Sequence, residues 1–145
     1  MSYTSNMGAV VDKLNVQLKG IKNQESVLRN VAVSLATSNV DRIHTESKNV
    51  AGGSIGTYAE ATRIIRRKKG RQVSRVDLSF TGKLSTEFQA SRISDGWGVG
   101  FISSYGSNLF KLLTDKYGEV WGITASDNRA IGRIVSKEIK KKLGT

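Results

Sequence analysis

Side chains with the chemistry of catalytic acids, bases and nucleophiles are sparse in this sequence. His44 is the only histidine, and it follows a helical apolar pattern directly before Thr45 and Glu46. A Ser-His-Asp relay built on it would need distant partners that no motif indicates. The acidic residues occur singly, without close pairs for two-metal or glycosidase chemistry, and the chain has no cysteine for thiolate catalysis or sulfur-bound zinc. We therefore predict that the chain has no catalytic residue, metal or cofactor. A small hydrolase that uses His44 is the least favoured of the three functions considered for this sequence.

A glycine-rich stretch over residues 51–57 is the first candidate binding segment. Bare backbone amides in such a stretch are able to cradle a phosphate. However, no Gly-Lys-Ser/Thr follows, and the spacing of the glycines matches neither a Walker loop nor the dinucleotide-binding fingerprint. We therefore interpret the stretch as a flexible loop.

The densest run of positive charge follows this loop. Its like charges repel one another, so the segment is predicted to be extended or mobile unless an anion or an acidic surface neutralises it. Together with the glycine-rich stretch it defines an arm over residues 47–72, and we expect deletion of residues 53–70 to spare folding. A solvated surface without function is the alternative interpretation. The cations of the run are Arg63, Arg66, Arg67, Lys68, Lys69, Arg71 and Arg75.

The composition favours an anionic partner. The 145 residues include 23 Lys and Arg against 12 Asp and Glu, a formal charge of +11, which predicts contact with nucleic acid or with an acidic protein surface. Aromatic residues make up 7% of the chain and are not interleaved with the basic run, which weakens the case for a base-stacking platform.

No apolar run approaches the roughly 20 residues needed to cross a bilayer. We therefore expect a soluble protein without membrane contact, made in a reducing cytoplasm.

Three apolar alternations between Val73 and Ile102 predict an antiparallel β-meander. Thr81-Gly82-Lys83 and Ser94-Asp95-Gly96 supply hairpin turn chemistry between them. The predicted buried faces are Val76, Leu78 and Phe80, then Leu84, Thr86, Phe88 and Ala90, then Trp97, Val99 and Phe101.

Helical patterns flank the meander. Residues 11–21 and 27–43 predict two N-terminal amphipathic helices, and residues 109–117 predict a short helix that Gly118 ends. Residues 119–124 alternate as a last short strand, whose large side chains contact either the core or a neighbouring subunit.

A final helix begins at a capping box formed by Thr124 and Asp127, and its apolar stripe continues to Leu143 before Gly144. Lysines 137 and 140–142 add a second basic surface near its end, which the helix dipole partly explains. The whole pattern predicts one α+β domain over residues 1–145, with the meander packed against N- and C-terminal amphipathic helices. The arm extends from this body, and residues 1–7 are flexible.

Short motifs from Arg42 onward carry a family resemblance. They run from Arg42-Ile43-His44-Thr45-Glu46-Ser47-Lys48 through Gly53-Ser54-Ile55-Gly56-Thr57-Tyr58 and Gly70-Arg71-Gln72 to Val76-Asp77-Leu78-Ser79-Phe80-Thr81-Gly82-Lys83-Leu84, followed by Trp97-Gly98-Val99-Gly100-Phe101 and Lys116-Tyr117-Gly118. In this order they resemble tailed-phage virion-morphogenesis proteins of the tail-completion or neck type. That family tends to have a longer, often proline-bearing loop after the second motif, whereas this chain has no proline.

The resemblance implies an α+β protomer that forms a homo-oligomeric ring at the phage head-tail junction. Its partners would be neighbouring portal, adaptor or tail proteins, with nonspecific contact to packaged DNA, in a virion assembled after synthesis in the host bacterial cytoplasm. The basic run would then contact a partner or DNA, and an assembly loop would reach a neighbouring copy. A non-catalytic nucleic-acid-binding protein that uses the basic arm is the alternative function. The residues assigned to the assembly loop are Gly52, Gly53, Ser54, Gly56 and Tyr58.

Overall fold

The computed structural model describes residues 24–79, 81–94 and 96–142, together with Leu14 and Leu18. In this part of the chain, helices surround a two-stranded antiparallel sheet. The α+β class, with helices before and after the sheet, is therefore confirmed. None of the described helices is long and apolar enough to span a membrane. In chain order the elements are α1 (Gln24–Val40), a π-helical turn (Asp41–Thr45), α2 (Glu60–Lys68), α3 (Lys83–Glu87), β1 (Phe88–Ile93), β2 (Gly96–Phe101), α4 (Ser104–Tyr117) and α5 (Ala125–Lys142).

The sheet is a hairpin whose turn chemistry was visible in the sequence. β1 and β2 pair from Phe88 opposite Phe101 to Ile93 opposite Gly96, so the strands are connected where the turn was predicted, although Asp95 lies outside the described residues. Val99 and Phe101 of the third apolar run are buried and Trp97 is partly buried, which agrees with the predicted apolar face. A hairpin of this size is marginal by itself, and it needs a helix to cover its apolar face.

Helix α1 supplies that cover. Its apolar stripe packs on β1, β2 and α5, and the predicted helix over residues 27–43 is confirmed, with its last residues in the π-helical turn. Full burial of each large aliphatic side chain contributes roughly 1.5–3 kcal/mol, which compensates for the modest helix propensity of the valines. The buried apolar residues of α1 are Val27, Leu28, Val31, Ala32, Leu35 and Ala36.

The first strand of the predicted meander is wrong, and so is the start of the second. Leu78 has a φ of 51°, a left-handed conformation that interrupts an extended strand. Its N–H and that of Asp77 donate to the Tyr58 hydroxyl rather than to a neighbouring strand. Gly82, with a φ of 82°, precedes helix α3 instead of forming a hairpin, so β1 begins only at Phe88.

The predicted last strand at residues 119–124 is also wrong, because side chains bind its backbone. The Asn39 amide donates to the Gly122 carbonyl at 3.0 Å and accepts from the Gly122 N–H at 2.9 Å. Arg42 donates to the Val120 carbonyl at 2.8 Å. Trp121 is buried with ring centroids 5.4 Å from Phe101, so this segment packs into the core of its own chain.

The predicted end of α4 and the predicted start of α5 are confirmed, although α4 begins at Ser104, five residues before the predicted Leu109. Helix α4 ends before Gly118, whose φ is 76° and whose N–H donates to the Thr114 carbonyl. The capping box is confirmed, since the Thr124 N–H donates to Asp127 Oδ2 at 2.8 Å and the Asp127 N–H donates to Thr124 Oγ1 at 3.1 Å.

Predictions for the two chain ends fall largely outside the described residues. These are the flexibility of residues 1–7, the helix over residues 11–21 apart from the buried Leu14 and Leu18, and the contributions of Leu143 and Gly144.

The predicted arm over residues 47–72 is folded against the body instead of extending from it. Lys48 and Ser54 form an antiparallel bridge, and the Val50 N–H donates to the Glu119 carbonyl at 3.1 Å. Ile55 is buried, and the first part of the basic run lies in the nine-residue helix α2. The segment folds because it contains apolar and hydrogen-bonding side chains that the charge pattern alone does not reveal.

Candidate functional site

Separate segments of the chain meet at one buried carboxylate, which we call the Asp77 cluster. Asp77 Oδ1 accepts from the Tyr58 hydroxyl at 2.9 Å, from Arg66 Nη2 at 3.0 Å and from the Ser79 N–H at 2.9 Å. Asp77 Oδ2 accepts from Gln72 Nε2 at 2.6 Å. Both oxygens of this buried anion thus accept hydrogen bonds, and a cation is one of the donors, which is the condition under which a buried charge is tolerated.

Arg66 is the cation of this cluster and is not a surface residue. Its exposed fraction is 2%, and its guanidinium also donates to the carbonyls of Gln72 and Ser79. The guanidinium carbon lies 4.4 Å from the centre of the Tyr58 ring, a cation–π contact. The prediction that Arg66 contacts a partner or DNA is therefore wrong, because its guanidinium is buried and bonded to groups of the same chain.

The cluster fixes the protonation states of its members. Burial would raise the pKa of Asp77, but hydrogen bonds from Ser79, Gln72 and Tyr58 and the charge of Arg66 outweigh it and lower that pKa. Burial, together with the hydrogen bond to the Asp77 carboxylate, raises the pKa of Tyr58 to about 12. At neutral pH Asp77 is therefore ionised and Tyr58 protonated, an arrangement that holds structure rather than transferring protons.

His44 reaches the same cluster through the backbone. Its Nδ1 lies 2.7 Å from the Asp77 carbonyl oxygen, a geometry that places the proton on Nδ1. Burial lowers the pKa of His44, although the Asp77 carbonyl and carboxylate oppose that shift. Within the described residues Nε2 has no hydrogen-bond partner, and no group of three or more His, Cys, Asp or Glu side chains is placed to hold a metal.

A surface cavity of about 320 Å³ lies beside the cluster. Tyr58, Arg66 and Leu78 line one side, and Leu113 and Lys116 of α4 line the other. Its volume is near the lower limit for small-molecule sites. Because the Arg66 donors are already engaged, the cavity presents mainly apolar walls.

The remaining cations of the basic run lie at the surface. Arg67, Lys68, Lys69, Arg71 and Arg75 are exposed, and Arg63 is half-buried. Arg63 and Arg67 share one exposed carboxylate, Glu60, at 3.2 and 3.6 Å. Exposed pairs of this kind contribute roughly 0–1 kcal/mol, so these cations remain available to an external anion.

The predicted assembly loop divides into an exposed tip and a buried end. Gly52, Gly53 and Ser54 are exposed, whereas Tyr58 belongs to the Asp77 cluster, and its assignment to a contact loop is wrong. The amides of Gly52 and Gly53 donate to the backbone and side-chain oxygens of Asn49, and the Gly56 amide donates to Ser54 Oγ. With these amides paired, the tip is not a phosphate cradle.

Sequence reasoning missed two residues of a second basic surface on α5. Arg129 and Arg133 lie on the same helix face as Lys137 and Lys141, although only the lysines near the helix end stood out as a cluster. The available signal was the four-residue spacing of the cations.

Comparison of the chain with protein-family models, curated proteins and solved structures finds no match in any of the three.

Proposed function

We propose that this protein is a non-catalytic structural component of a tailed-phage virion. It acts at the head-tail junction as a neck or tail-completion protein and assembles as a ring with portal, adaptor or tail proteins. The supporting observation is that residues from four of the motifs that carry the family resemblance meet at one place. His44, Tyr58 and Gln72 all contact Asp77, and each comes from a different motif.

This convergence supports a structural role for those motifs. The side chains of these motifs form hydrogen bonds with one another. These bonds fix the positions of the segments that lie between the motifs. Helix α2 is held by Arg66 at its inner face, which directs Lys68 and Lys69 outward. The cluster therefore acts as a scaffold for an exposed basic edge.

Two exposed surfaces are proposed to make the contacts of the assembly. The outer cations of α2 and the following loop bind acidic surfaces of neighbouring virion proteins. The tip formed by Gly52, Gly53 and Ser54 contacts the next copy in a heterologous, head-to-tail arrangement, which is the kind of contact that closes a ring.

A charge-matched pair of variants tests the basic edge. Lys68→Gln/Lys69→Gln should fold normally and lower incorporation into particles at least fivefold in a complementation assay. Arg92→Gln/Lys111→Gln removes the same charge from other exposed positions and should be incorporated at the wild-type level. Equal incorporation of both variants would remove this edge from the proposed interface.

The alternative, a nucleic-acid-binding protein that uses the basic arm, receives less support. Arg66, one of the cations that this alternative requires, is buried in the fold and bonded to Asp77. Sequence-specific DNA binding through residues 63–75 at physiological salt would favour this alternative over the structural one.

A further inference from the structure

One face of α5 carries a row of cations, which we call the α5 stripe. It consists of Arg129, Arg133, Lys137 and Lys141, all exposed. Residues four apart lie on one helix face and are displaced by about 6 Å along the axis, so the stripe is about 18 Å long. The small residues Gly132 and Ser136 lie between the cations in the same open depression.

The stability of the fold does not explain this row. In the part of the chain that the structure describes, none of the ion pairs involves these four side chains. Like charges four residues apart destabilise a helix slightly. The helix dipole favours cations only in the last turn, which accounts for Lys141 but not for Arg129 or Arg133.

We propose that the α5 stripe binds the phosphate backbone of duplex DNA. Charge complementarity is the first argument, since these four cations have no ion-pair partner among the described residues and belong to a protein of formal charge +11. The length is the second, because about 18 Å equals the rise along the DNA axis of roughly five phosphates of one strand, at about 3.4 Å per phosphate.

The composition of the stripe argues against other occupants. A stable protein interface has buried apolar or aromatic anchors at its centre, and the centre of this stripe is Gly132 and Ser136. Binding of single strands relies on aromatic side chains that stack on bases, and the stripe has none. A Cβ at Gly132 would meet no atom within 4 Å, so the helix backbone is open to close approach by a phosphate strand.

Binding of this kind is independent of base sequence. Phosphate contacts position a protein on DNA without reading bases, and their strength depends on release of counterions. The inference goes beyond the proposed function, which rests on α2 and the loop at residues 52–54, and either can fail without the other.

The test is fluorescence anisotropy of two labelled 25-base-pair duplexes of unrelated sequence, titrated with the full chain between 50 and 300 mM NaCl. The variant Arg129→Gln/Arg133→Gln/Lys137→Gln/Lys141→Gln should bind both duplexes at least tenfold more weakly at the lowest salt. Its slope of log affinity against log salt should be shallower by about 3–4, at roughly 0.9 per lost contact. The matched control Lys48→Gln/Lys83→Gln/Arg92→Gln/Lys111→Gln loses the same charge from scattered surface positions and should keep its slope within about 1 of the wild type.

Equal losses in the two variants would overturn the proposal, because net charge alone would then explain binding. Binding of a polyglutamate peptide, but not of duplex, in a manner that requires the stripe would overturn it in favour of an acidic protein partner. If the fourfold variant does not fold by circular dichroism, the four single variants replace it. Each should lower the slope by about 0.9, and four unchanged slopes would refute the proposal.

Discussion

Arg66 and Arg67 are adjacent, identical in type and opposite in role. Arg66 is buried against Asp77, and Arg67 is exposed beside Glu60. Sequence reasoning placed both in one basic run, because a charge pattern does not show which face of a helix meets the body. The partner of Arg66 lies eleven residues away, directly before the left-handed backbone of Leu78.

The Asp77–Arg66 pair should be among the most sensitive points of the fold. Asp77→Asn leaves the Arg66 charge buried without its anion, and we expect the free energy of unfolding to fall by about 3–5 kcal/mol. Arg66→Met/Asp77→Asn should be less destabilised than the sum of its single variants by at least about 1 kcal/mol. Urea unfolding measures all three.

The control for this set of variants is Arg67→Met, an exposed change whose free energy of unfolding should stay within about 0.5 kcal/mol of the wild type.

The pair should also make stability depend on pH. Because the folded pKa of Asp77 is lowered, the contribution of Asp77 to stability is present above the usual value of 3.8 and is lost as the pH falls through the folded pKa. Additive single effects, or a penalty for Asp77→Asn that does not shrink in acid, would contradict the role assigned to the pair.

His44 should make the stability of the protein depend on pH near neutrality. Its folded pKa is lowered from 6.5, so the unfolded chain takes up a proton that the folded chain resists as the pH falls below that value. Wild-type stability should therefore decrease between pH 7.5 and 5.5. His44→Gln keeps a donor near the Asp77 carbonyl but does not titrate, and it should show a shallower decrease. Identical pH profiles in urea unfolding would mean that the fold does not perturb His44.

At the scale of elements, the helices were predicted better than the strands. Apolar side chains at helical spacing identified α1, α4 and α5, since each buries one stripe against a single body. Residues 76–80 and 119–124 alternate like strands in the sequence. In the structure, however, the N–H groups of Asp77 and Leu78 donate to the Tyr58 hydroxyl, and the Gly122 N–H donates to Asn39 Oδ1. Partners of this kind are distant in sequence, and no local pattern reveals them.

The entry of the chain into α4 depends on a glycine that the sequence did not distinguish from others. A Cβ at Gly106 would lie 2.6 Å from Phe101 Cδ1 and 2.9 Å from Glu87 Oε2. Glu87 and Ser103 both accept from the Gly106 N–H, so the carboxylate cannot move without uncapping the helix.

Gly106→Ala should consequently destabilise the protein by about 1–3 kcal/mol through overpacking. Gly132→Ala is the matched control in another helix, where open space surrounds the new methyl group. It should be neutral or stabilising by up to about 1 kcal/mol, because alanine favours the helix. Thermal unfolding of both variants checks the pair, and a Gly106→Ala protein as stable as Gly132→Ala would disprove the close packing.

At the scale of the whole molecule, the described residues carry two basic surfaces, the exposed cations of α2 with the following loop and the α5 stripe. Arg66 was predicted to belong to the first surface but is buried. The flexible arm expected from the glycine and charge content is folded, and deleting residues 53–70 would remove Tyr58 and Arg66 from the Asp77 cluster. We therefore expect that deletion to unfold the protein, so point changes at the surface are the informative variants.

The proposed structural role in joining phage heads to tails is tested most directly by electron microscopy. The samples are lysates of a phage in which the gene for this chain is interrupted. If the protein joins heads to tails, we expect DNA-filled heads and free tails that remain separate. Joined particles should return when the intact chain is supplied in trans. Joined, infectious particles at the normal yield without the chain would contradict that role.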